Sequence, residues 1–113
     1  MEKISKSTQQ KLAQLQMLQQ RMQLFASQKQ AFQLQLLEIE AALAELDKVK
    51  EPVYRLVGQI LVQKDAGSLK QELSEKKSNL DIRIKSLEKQ EEATMHSAQT
   101  LQQELTAELK PEK

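Results

Sequence analysis

The residues that could carry acid–base or metal chemistry are few in this chain, and they are scattered. His96 is the single histidine, and there is no cysteine to form a disulfide or a thiolate metal site. Asp47, Asp65 and Asp81 lie too far apart in the sequence to suggest a shared metal site. A glycine-rich phosphate loop is also missing. We therefore predict no enzyme, no metal and no cofactor, and we interpret His96 as a surface residue of a helix.

The charge and hydropathy of the chain argue against nucleic acid and membranes as partners. The net charge is only +1 over 113 residues. The basic residues of the first half lack interleaved aromatic side chains and any known nucleic-acid-reading motif. No stretch resembles a signal peptide or forms an apolar run long enough for a bilayer. We expect no nucleic acid, no membrane and a cytoplasmic location.

The composition predicts long helices rather than a compact globule. The chain has two Gly and two Pro and is rich in Ala, Glu, Lys, Leu and Gln. Between residues 4 and 46, the seam positions are spaced alternately by four and three, as in a coiled coil. Leu15 and Leu36 occupy a positions of this heptad pattern, and Phe25 occupies a d position. We predict a first helix over about residues 4–49.

Capping signals indicate where the helices begin. Ser7, with a glutamine three residues later, can form a capping box at the start of the first helix. Gly67 breaks the chain after the middle segment, and Ser68, again with a glutamine three residues later, can cap a second helix. A second heptad pattern follows and ends before Pro111. We predict the second helix over about residues 68–110.

The charges in the heptad seam favour antiparallel pairing of the two helices within one chain. In a parallel homodimer Lys29 would face its own copy, which is destabilising. When the chain folds back, Lys29 shares a layer with Leu87, and Glu91 comes within its reach at the edge of the seam. Residues 3–37 contain no acidic side chain, whereas the end of the second helix is rich in glutamate. We predict an antiparallel coiled coil folded about residue 58.

The middle of the chain has the pattern of a β-hairpin over residues 53–63. Gly58 can supply the positive φ that a two-residue turn needs at its first position. Both faces of such a hairpin would be apolar, and a two-stranded ribbon alone is marginally stable with two open edges. Folding of the hairpin onto its own helices is one solution, but joining of hairpins from several chains buries more. The predicted oligomerisation hairpin consists of Val53, Tyr54, Leu56, Val57, Gly58, Ile60, Leu61 and Val62.

A second apolar strip lies off the heptad seam, on the parts of the helices next to the hairpin. Scattered surface hydrophobic residues are common, so chance is one explanation. Their clustering near the hairpin favours a role as subunit contacts. The predicted contact strip consists of Leu34, Leu37, Ala41 and Ile82.

This plan and several segments resemble the prefoldin family. PVYRLVGQILVQ (52–63) is similar to the family's hairpin signature. QQKLAQLQMLQQ (9–20) resembles the glutamine-rich first helix of its β-class subunits, and RIKSLEKQEE (83–92) resembles their second helix. One hairpin instead of two fits the β class, and eukaryotic subunit six and the archaeal β subunit are both similar. Since the chain stops soon after Pro111, we expect no longer C-terminal tail.

The resemblance implies a fold class, partners and a function. The fold class is mainly α, an antiparallel two-helix coiled coil connected by one short β-hairpin that joins a β-barrel in the oligomer, with residues 1–113 as a single domain. The implied assembly is a heterohexamer of two α-class and four β-class subunits. The implied function is that of an ATP-independent molecular chaperone, which captures unfolded polypeptides (actin and tubulin if eukaryotic) and passes them to a group II chaperonin. A coiled-coil structural adaptor or tether without chaperone activity is the alternative.

The helix ends farthest from the hairpin have a weak heptad seam. Thr8, Lys11 and Glu108 replace large apolar residues there, while leucine and methionine lie beside the seam. We expect a loosely packed end with adaptable apolar surface, although ordinary end-of-coil composition is an alternative. Lys110 and Lys113 are candidates for chaperonin docking or belong to a solvated terminus. The predicted substrate-binding residues are Ile4, Leu12, Leu15, Met17, Leu101, Leu105 and Leu109.

Overall fold

The computed structural model describes residues 5–50 and 52–109 of the chain. Helix α1 spans Lys6–Lys48, strand β1 spans Val53–Val57, strand β2 spans Ile60–Lys64 and helix α2 spans Ala66–Leu109. The predicted fold class, two long helices connected by one short antiparallel β-hairpin, is confirmed. Lys48 in the last turn of α1 places a cation at the negative end of the helix dipole.

Helix α1 begins earlier than the capping pattern predicted. The Ser5 hydroxyl accepts a hydrogen bond from the backbone N–H of Thr8 at 3.1 Å, and the Ser5 carbonyl accepts one from Gln9. Ser5 is therefore the N-cap, and the prediction of Ser7 was wrong. An N-cap serine accepts a hydrogen bond from the backbone N–H three residues later, and in the sequence both Ser5 and Ser7 could do so.

Helix α2 also begins earlier than predicted. The Asp65 carboxylate accepts hydrogen bonds from the Ser68 backbone N–H at 3.0 Å and from the Ser68 hydroxyl at 3.3 Å. Asp65 is therefore the N-cap, and the prediction of Ser68 was wrong. Gly67 lies inside the first turn of α2 and does not have a positive φ, so it does not break the helix. Aspartate at the N-cap also suits the positive end of the helix dipole.

The hairpin has the predicted register. Val57 pairs with Ile60, Leu56 with Leu61, and Arg55 with Val62. Gly58, at the first position of the two-residue turn, has a φ of 63°, and no non-glycine residue among those described has a positive φ. Positive φ at the first central position alone is the pattern of a type II′ turn, whose twist matches that of the strands.

The helices contribute to two compact units. The hairpin unit is Gln30–Lys85, and the terminal unit combines Met1–Lys29 with Ser86–Lys113. In the hairpin unit Glu40 meets Lys77 at 3.7 Å, and Asp47 meets Lys70 at 3.0 Å. Higher numbers on α1 thus match lower numbers on α2, so the helices run antiparallel in this unit.

The core of the hairpin unit is the predicted heptad seam. Leu46, Leu80 and Ile84 are buried, and Leu36 is half-buried. The Arg83 guanidinium lies over the half-buried Phe32 ring, 5.8 Å from its centre, within the range of a cation–π interaction.

The terminal unit has its own antiparallel seam. Leu87, Leu101 and Leu105 of α2 are buried, and Leu15 and Phe25 of α1 are half-buried. Leu105 is only 4% exposed. Among the described residues, the polar seam positions Thr8, Lys11 and Glu108 bond to one another, and Leu101 and Leu105 are covered. The expected loose packing of this end stays a prediction.

Candidate assembly and capture surfaces

One face of the hairpin is apolar and uncovered. Tyr54, Leu56 and Leu61 alternate with the residues of the opposite face and are 58%, 66% and 67% exposed. Successive side chains of a strand point to opposite faces, so these three form one continuous surface. An exposed apolar surface of this kind on a two-stranded ribbon is suited to association with another protein surface.

The opposite face of the hairpin is covered only at its base. Ile60 beside the turn is 68% exposed, whereas Val53 and Lys64 at the other end of the strands are half-buried. The Arg55 guanidinium pairs with the Glu72 carboxylate of α2 and ties this base to the helix. The hydrogen bond from Arg55 holds the pKa of Glu72 below its ordinary value.

The hairpin therefore does not fold onto its own helices in the way that one alternative required. Arg55 links it to α2 through an ion pair, while Leu56, Ile60 and Leu61 stay about two-thirds exposed, at 66%, 68% and 67%. The physical reason is geometric, because a short strand pair at the end of two helices offers them only its base.

The predicted contact strip is exposed in the hairpin unit. Leu34, Leu37 and Ala41 are spaced by three and four residues, so they share one surface of α1. Leu34 and Leu37 are 59% and 62% exposed, and Ile82 of α2 is 66% exposed. The strip is thus available for subunit contact, and its role stays a prediction.

A polar cluster joins α1 and α2 in the terminal unit. The buried Thr8 hydroxyl donates a hydrogen bond to the Glu108 carboxylate at 2.8 Å. The Lys11 ammonium pairs with Glu108 and lies 3.6 Å from Glu104. The hydrogen bond with Glu108 raises the pKa of Lys11, and the same bond, helped by Thr8, lowers the pKa of Glu108. Thr8 and Lys11 thus fill two seam positions by binding the same carboxylate, that of Glu108.

A second polar contact confirms the predicted helix register. The Lys29 ammonium donates to the Glu91 carboxylate at 2.7 Å, at the seam positions that the antiparallel arrangement places in adjacent layers. This hydrogen bond raises the pKa of Lys29 above its ordinary value. Both side chains are about a quarter exposed, at 27% and 25%, so the pair lies at the edge of the seam.

The predicted substrate-binding residues separate into covered and uncovered positions. Met17 and Leu109 are 58% and 50% exposed. Leu12 and Leu15 are half-buried. Leu101 and Leu105 are buried in the seam, so this conformation does not offer them to a substrate. Three further predicted positions lie outside the described residues: Ile4, Lys110 and Lys113.

Two exposed apolar residues of the terminal unit were absent from the predicted substrate-binding set. Leu24 of α1 is 54% exposed and lies seven residues after Met17, on the same surface of the helix. Met95 of α2 is 46% exposed. The seven-residue spacing from Met17 was a signal that could have identified Leu24.

The groups with acid–base potential form no reactive arrangement among residues 5–50 and 52–109. His96 is exposed on α2, and Asp47 is engaged by Lys70. No cluster of three or more His, Cys, Asp or Glu side chains in this part could hold a metal ion. No described helix is both long and apolar enough to cross a membrane. What stands out in this part of the chain is the exposed apolar surface of the hairpin and of both helices.

Comparison with known proteins identifies relatives of this chain. The family model described as "Prefoldin subunit" matches residues 9–112. The prefoldin subunit beta of Thermococcus onnurineus is 37% identical over 98% of this chain and 97% of its own length. The prefoldin subunit beta of Archaeoglobus fulgidus is 42% identical over 89% of each chain.

A solved structure agrees with these sequence matches. The crystal structure of the prefoldin beta subunit from Thermococcus strain KS-1 superposes with a TM-score of 0.88 and 33% identity. The alignment covers 99% of this chain and 100% of that one. Both helices and the hairpin therefore have counterparts in that structure.

Proposed function

Because the chain belongs to the prefoldin family of chaperone subunits, we propose that it works in a heterohexamer with α-class and other β-class subunits. In this assembly the hairpins of the subunits join in a β-barrel platform. The terminal unit captures unfolded polypeptides without ATP, and the complex passes them to a group II chaperonin in the cytoplasm. Actin and tubulin are expected clients if the chain is eukaryotic, although the relatives described above are archaeal β subunits.

The observation that carries this proposal is the hairpin with both faces exposed near its turn. Leu56, Ile60 and Leu61 each leave about two-thirds of their surface uncovered, at 66%, 68% and 67%. Burying apolar surface is favourable by about 25 cal/mol per Å², so these side chains favour association of hairpins. Partner hairpins would cover both faces and also satisfy the open strand edges.

The contact strip supports the same assembly. Leu34, Leu37 and Ile82 are exposed in the unit that carries the hairpin. A subunit that docks its hairpin against a neighbour brings its adjoining helices close to that neighbour as well. We propose that the strip packs there against other subunits.

The capture step rests on the exposed apolar side chains of the terminal unit. Met17 and Leu109 are 58% and 50% exposed, and the thioether side chain of Met17 is unbranched and flexible. Such side chains adapt to many apolar partners, which suits binding of unfolded chains. The seam residues Leu101 and Leu105 would take part only if the helices separate.

The assembly proposal is tested by measuring mass. We expect the chain mixed with an α-class prefoldin subunit to elute as a hexamer, by light scattering on a sizing column. The double variant Val57→Asp and Ile60→Asp should abolish this species and keep its helical circular dichroism, because both side chains are exposed in the single chain. Met17→Asp with Met95→Asp is the matched control, since it places the same two charges on exposed apolar sites outside the hairpin. A hexamer that forms unchanged with the double variant would refute the role of the hairpin.

A capture assay distinguishes the chaperone hypothesis from the alternative of a structural adaptor. We expect the hexamer to suppress light scattering when a chemically denatured protein is diluted, and Met17→Ser with Leu109→Ser to weaken this effect. Val49→Ser is the control, because Val49 is an exposed apolar residue of the hairpin unit. An adaptor would bind one folded partner and leave the aggregation of denatured proteins unchanged.

A further inference from the structure

Helix α1 carries an exposed apolar stripe with a cation in its middle. Met17 and Leu24 are 58% and 54% exposed, and Arg21 lies four residues after the first and three before the second. Residues three and four apart are neighbours on a helix, so the three side chains adjoin. Met17 and Arg21 line one shallow depression together with Gln14 and Leu18. We call Met17, Arg21 and Leu24 the α1 stripe.

The cation of this stripe is available. The described part of α1 in the terminal unit has basic but no acidic residues. Lys11 and Lys29 are occupied by Glu108 and Glu91. Arg21 is exposed and forms no ion pair with any residue in the described part of the chain. A guanidinium in this situation is suited to a carboxylate, which it can bind through two parallel hydrogen bonds.

We propose that the α1 stripe selects apolar segments of unfolded polypeptide that carry acidic residues. This inference rests on the proposed capture function and names the chemistry of the preferred client. Apolar side chains of the client cover Met17 and Leu24, and a client carboxylate meets Arg21. The exposed amides of Gln14 and Gln20 can donate and accept hydrogen bonds with the client backbone.

The charges of α2 explain why the acidic segment binds α1. Residues 86–109 contain five Glu and one Lys, so this part of α2 repels carboxylates. Of its two exposed large apolar residues, Leu109 follows Glu108 directly, and Met95 lies in a depression that Glu92 and Lys89 also line. Within the terminal unit, charge complementarity therefore assigns acidic apolar segments to the α1 stripe.

The test uses two labelled peptides and the assembled hexamer. The peptides share the same leucine and phenylalanine positions, and their remaining side chains are glutamate in one and lysine in the other. We expect the acidic peptide to bind about two- to fivefold more tightly by fluorescence anisotropy, which is the range for an exposed ion pair. Added salt should reduce this preference, because exposed charges are screened.

Variants locate the preference on the stripe. Arg21→Gln should abolish the preference for the acidic peptide, and Arg21→Glu should reverse it. Lys89→Glu is the matched charge control, because Lys89 is an exposed cation of the same unit on α2, and it should keep the preference. Met17→Ser with Leu24→Ser should weaken the binding of both peptides and leave the ratio of their affinities unchanged.

The possible results separate a failure of acidic selectivity from a failure of the proposed capture function. Equal binding of the two peptides, or a preference that survives Arg21→Glu, would overturn the inference while capture itself stands. A changed hexamer mass with Arg21→Glu would show that the stripe is a subunit contact and would also overturn it. If neither peptide nor a denatured protein binds the hexamer, the proposed capture function fails first.

Discussion

The hairpin and the terminal unit use apolar residues in opposite ways. Leu56 and Leu61 of the hairpin are 66% and 67% exposed, whereas Leu101 and Leu105 of the terminal unit are 9% and 4% exposed. Two helices cover each other's seam, but a two-stranded ribbon has no third element to cover its faces. The helices therefore complete their packing within one chain, whereas the faces of the hairpin near its turn stay uncovered.

The two regions also differ in how they use charge. Arg55 and Glu72 form an ion pair that attaches the base of the hairpin to α2. In the terminal unit Lys11 and Lys29 pair across the seam with glutamates of α2. Charges near the hairpin hold its base and leave the apolar faces uncovered, whereas charges in the terminal unit replace apolar layers of the seam. The following predictions test whether these two arrangements are independent.

The largest expected effect on stability comes from Leu105→Ala. Because Leu105 is 4% exposed, we expect its truncation to lower the free energy of unfolding of the isolated chain by about 2–3 kcal/mol. Urea unfolding followed by circular dichroism measures this change. Leu109→Ala is the control, since Leu109 is 50% exposed and should cost about 0.5 kcal/mol or less. Equal losses for both variants would contradict the separation of seam and surface.

A smaller effect is expected from Gly58→Ala in the hairpin turn. The φ of 63° strains any residue with a Cβ, and a Cβ at this position would meet no atom within 4 Å. The cost is therefore backbone strain alone, about 1 kcal/mol, seen as a lower urea midpoint for dissociation of the hexamer. Asparagine is common with glycine at the positive-φ positions of such primed turns, so Gly58→Asn should lie between alanine and wild type. An alanine variant as stable as wild type would show that the turn is unimportant for assembly.

The Lys29–Glu91 pair gives a test of helix register. Glu91→Lys places two cations together at the seam edge and should lower the unfolding midpoint of the isolated chain. The exchanged pair, Lys29→Glu with Glu91→Lys, should recover most of the loss. The comparison of single and double variants isolates the coupling between the two side chains. If the losses in unfolding midpoint of the two single variants simply add in the double variant, the two charges do not interact. The mass of the hexamer should be unchanged in all three variants.

The smallest effects are those of pH on the ion pairs. Glu72 and Glu108 have folded pKa values below 4.5, so they stabilise the folded chain above that pH and lose this contribution as pH falls through the lowered values. Lys11 and Lys29 have folded pKa values above 10.5, so their contribution is present below that pH and is lost as pH rises further. Urea midpoints measured across pH should be flat between these limits for the four groups.

Two glutamine variants assign the acidic limb to its region. Glu72→Gln should remove the part that comes from the hairpin base, and Glu108→Gln the part that comes from the terminal unit. If Glu108→Gln alone flattens the whole acidic limb, the contact of Arg55 with Glu72 contributes nothing to stability.

Local patterns predicted the seam and the hairpin well. Alternation by four and three placed Leu15 and Leu36 on the covered side of α1, and both are half-buried. The reach of Lys29 to Glu91 followed from pairing heptad positions about the turn, and it is observed at 2.7 Å. Strand pairing followed from a two-residue loop at Gly58, because loop length determines which residues lie opposite each other.

The same patterns failed where several residues could play one role. Ser5 and Ser7 are both suitable N-caps, and only the folded helix shows which one binds a backbone N–H. Leu101 and Leu105 looked available because Thr8 and Glu108 weaken the seam in each helix taken separately. In the structure those polar residues bond to each other across the helices, which allows the leucines to be buried.

The sequence by itself determined the kind of elements, their order and their pairing register, because helix periodicity, strand alternation and turn geometry act between near neighbours. Only the tertiary structure decided which apolar side chains stay exposed. Burial depends on what a second element covers, so Leu105 and Leu109, four residues apart, are 4% and 50% exposed. The same dependence leaves Met17, Arg21 and Leu24 on the surface, where a partner can reach them.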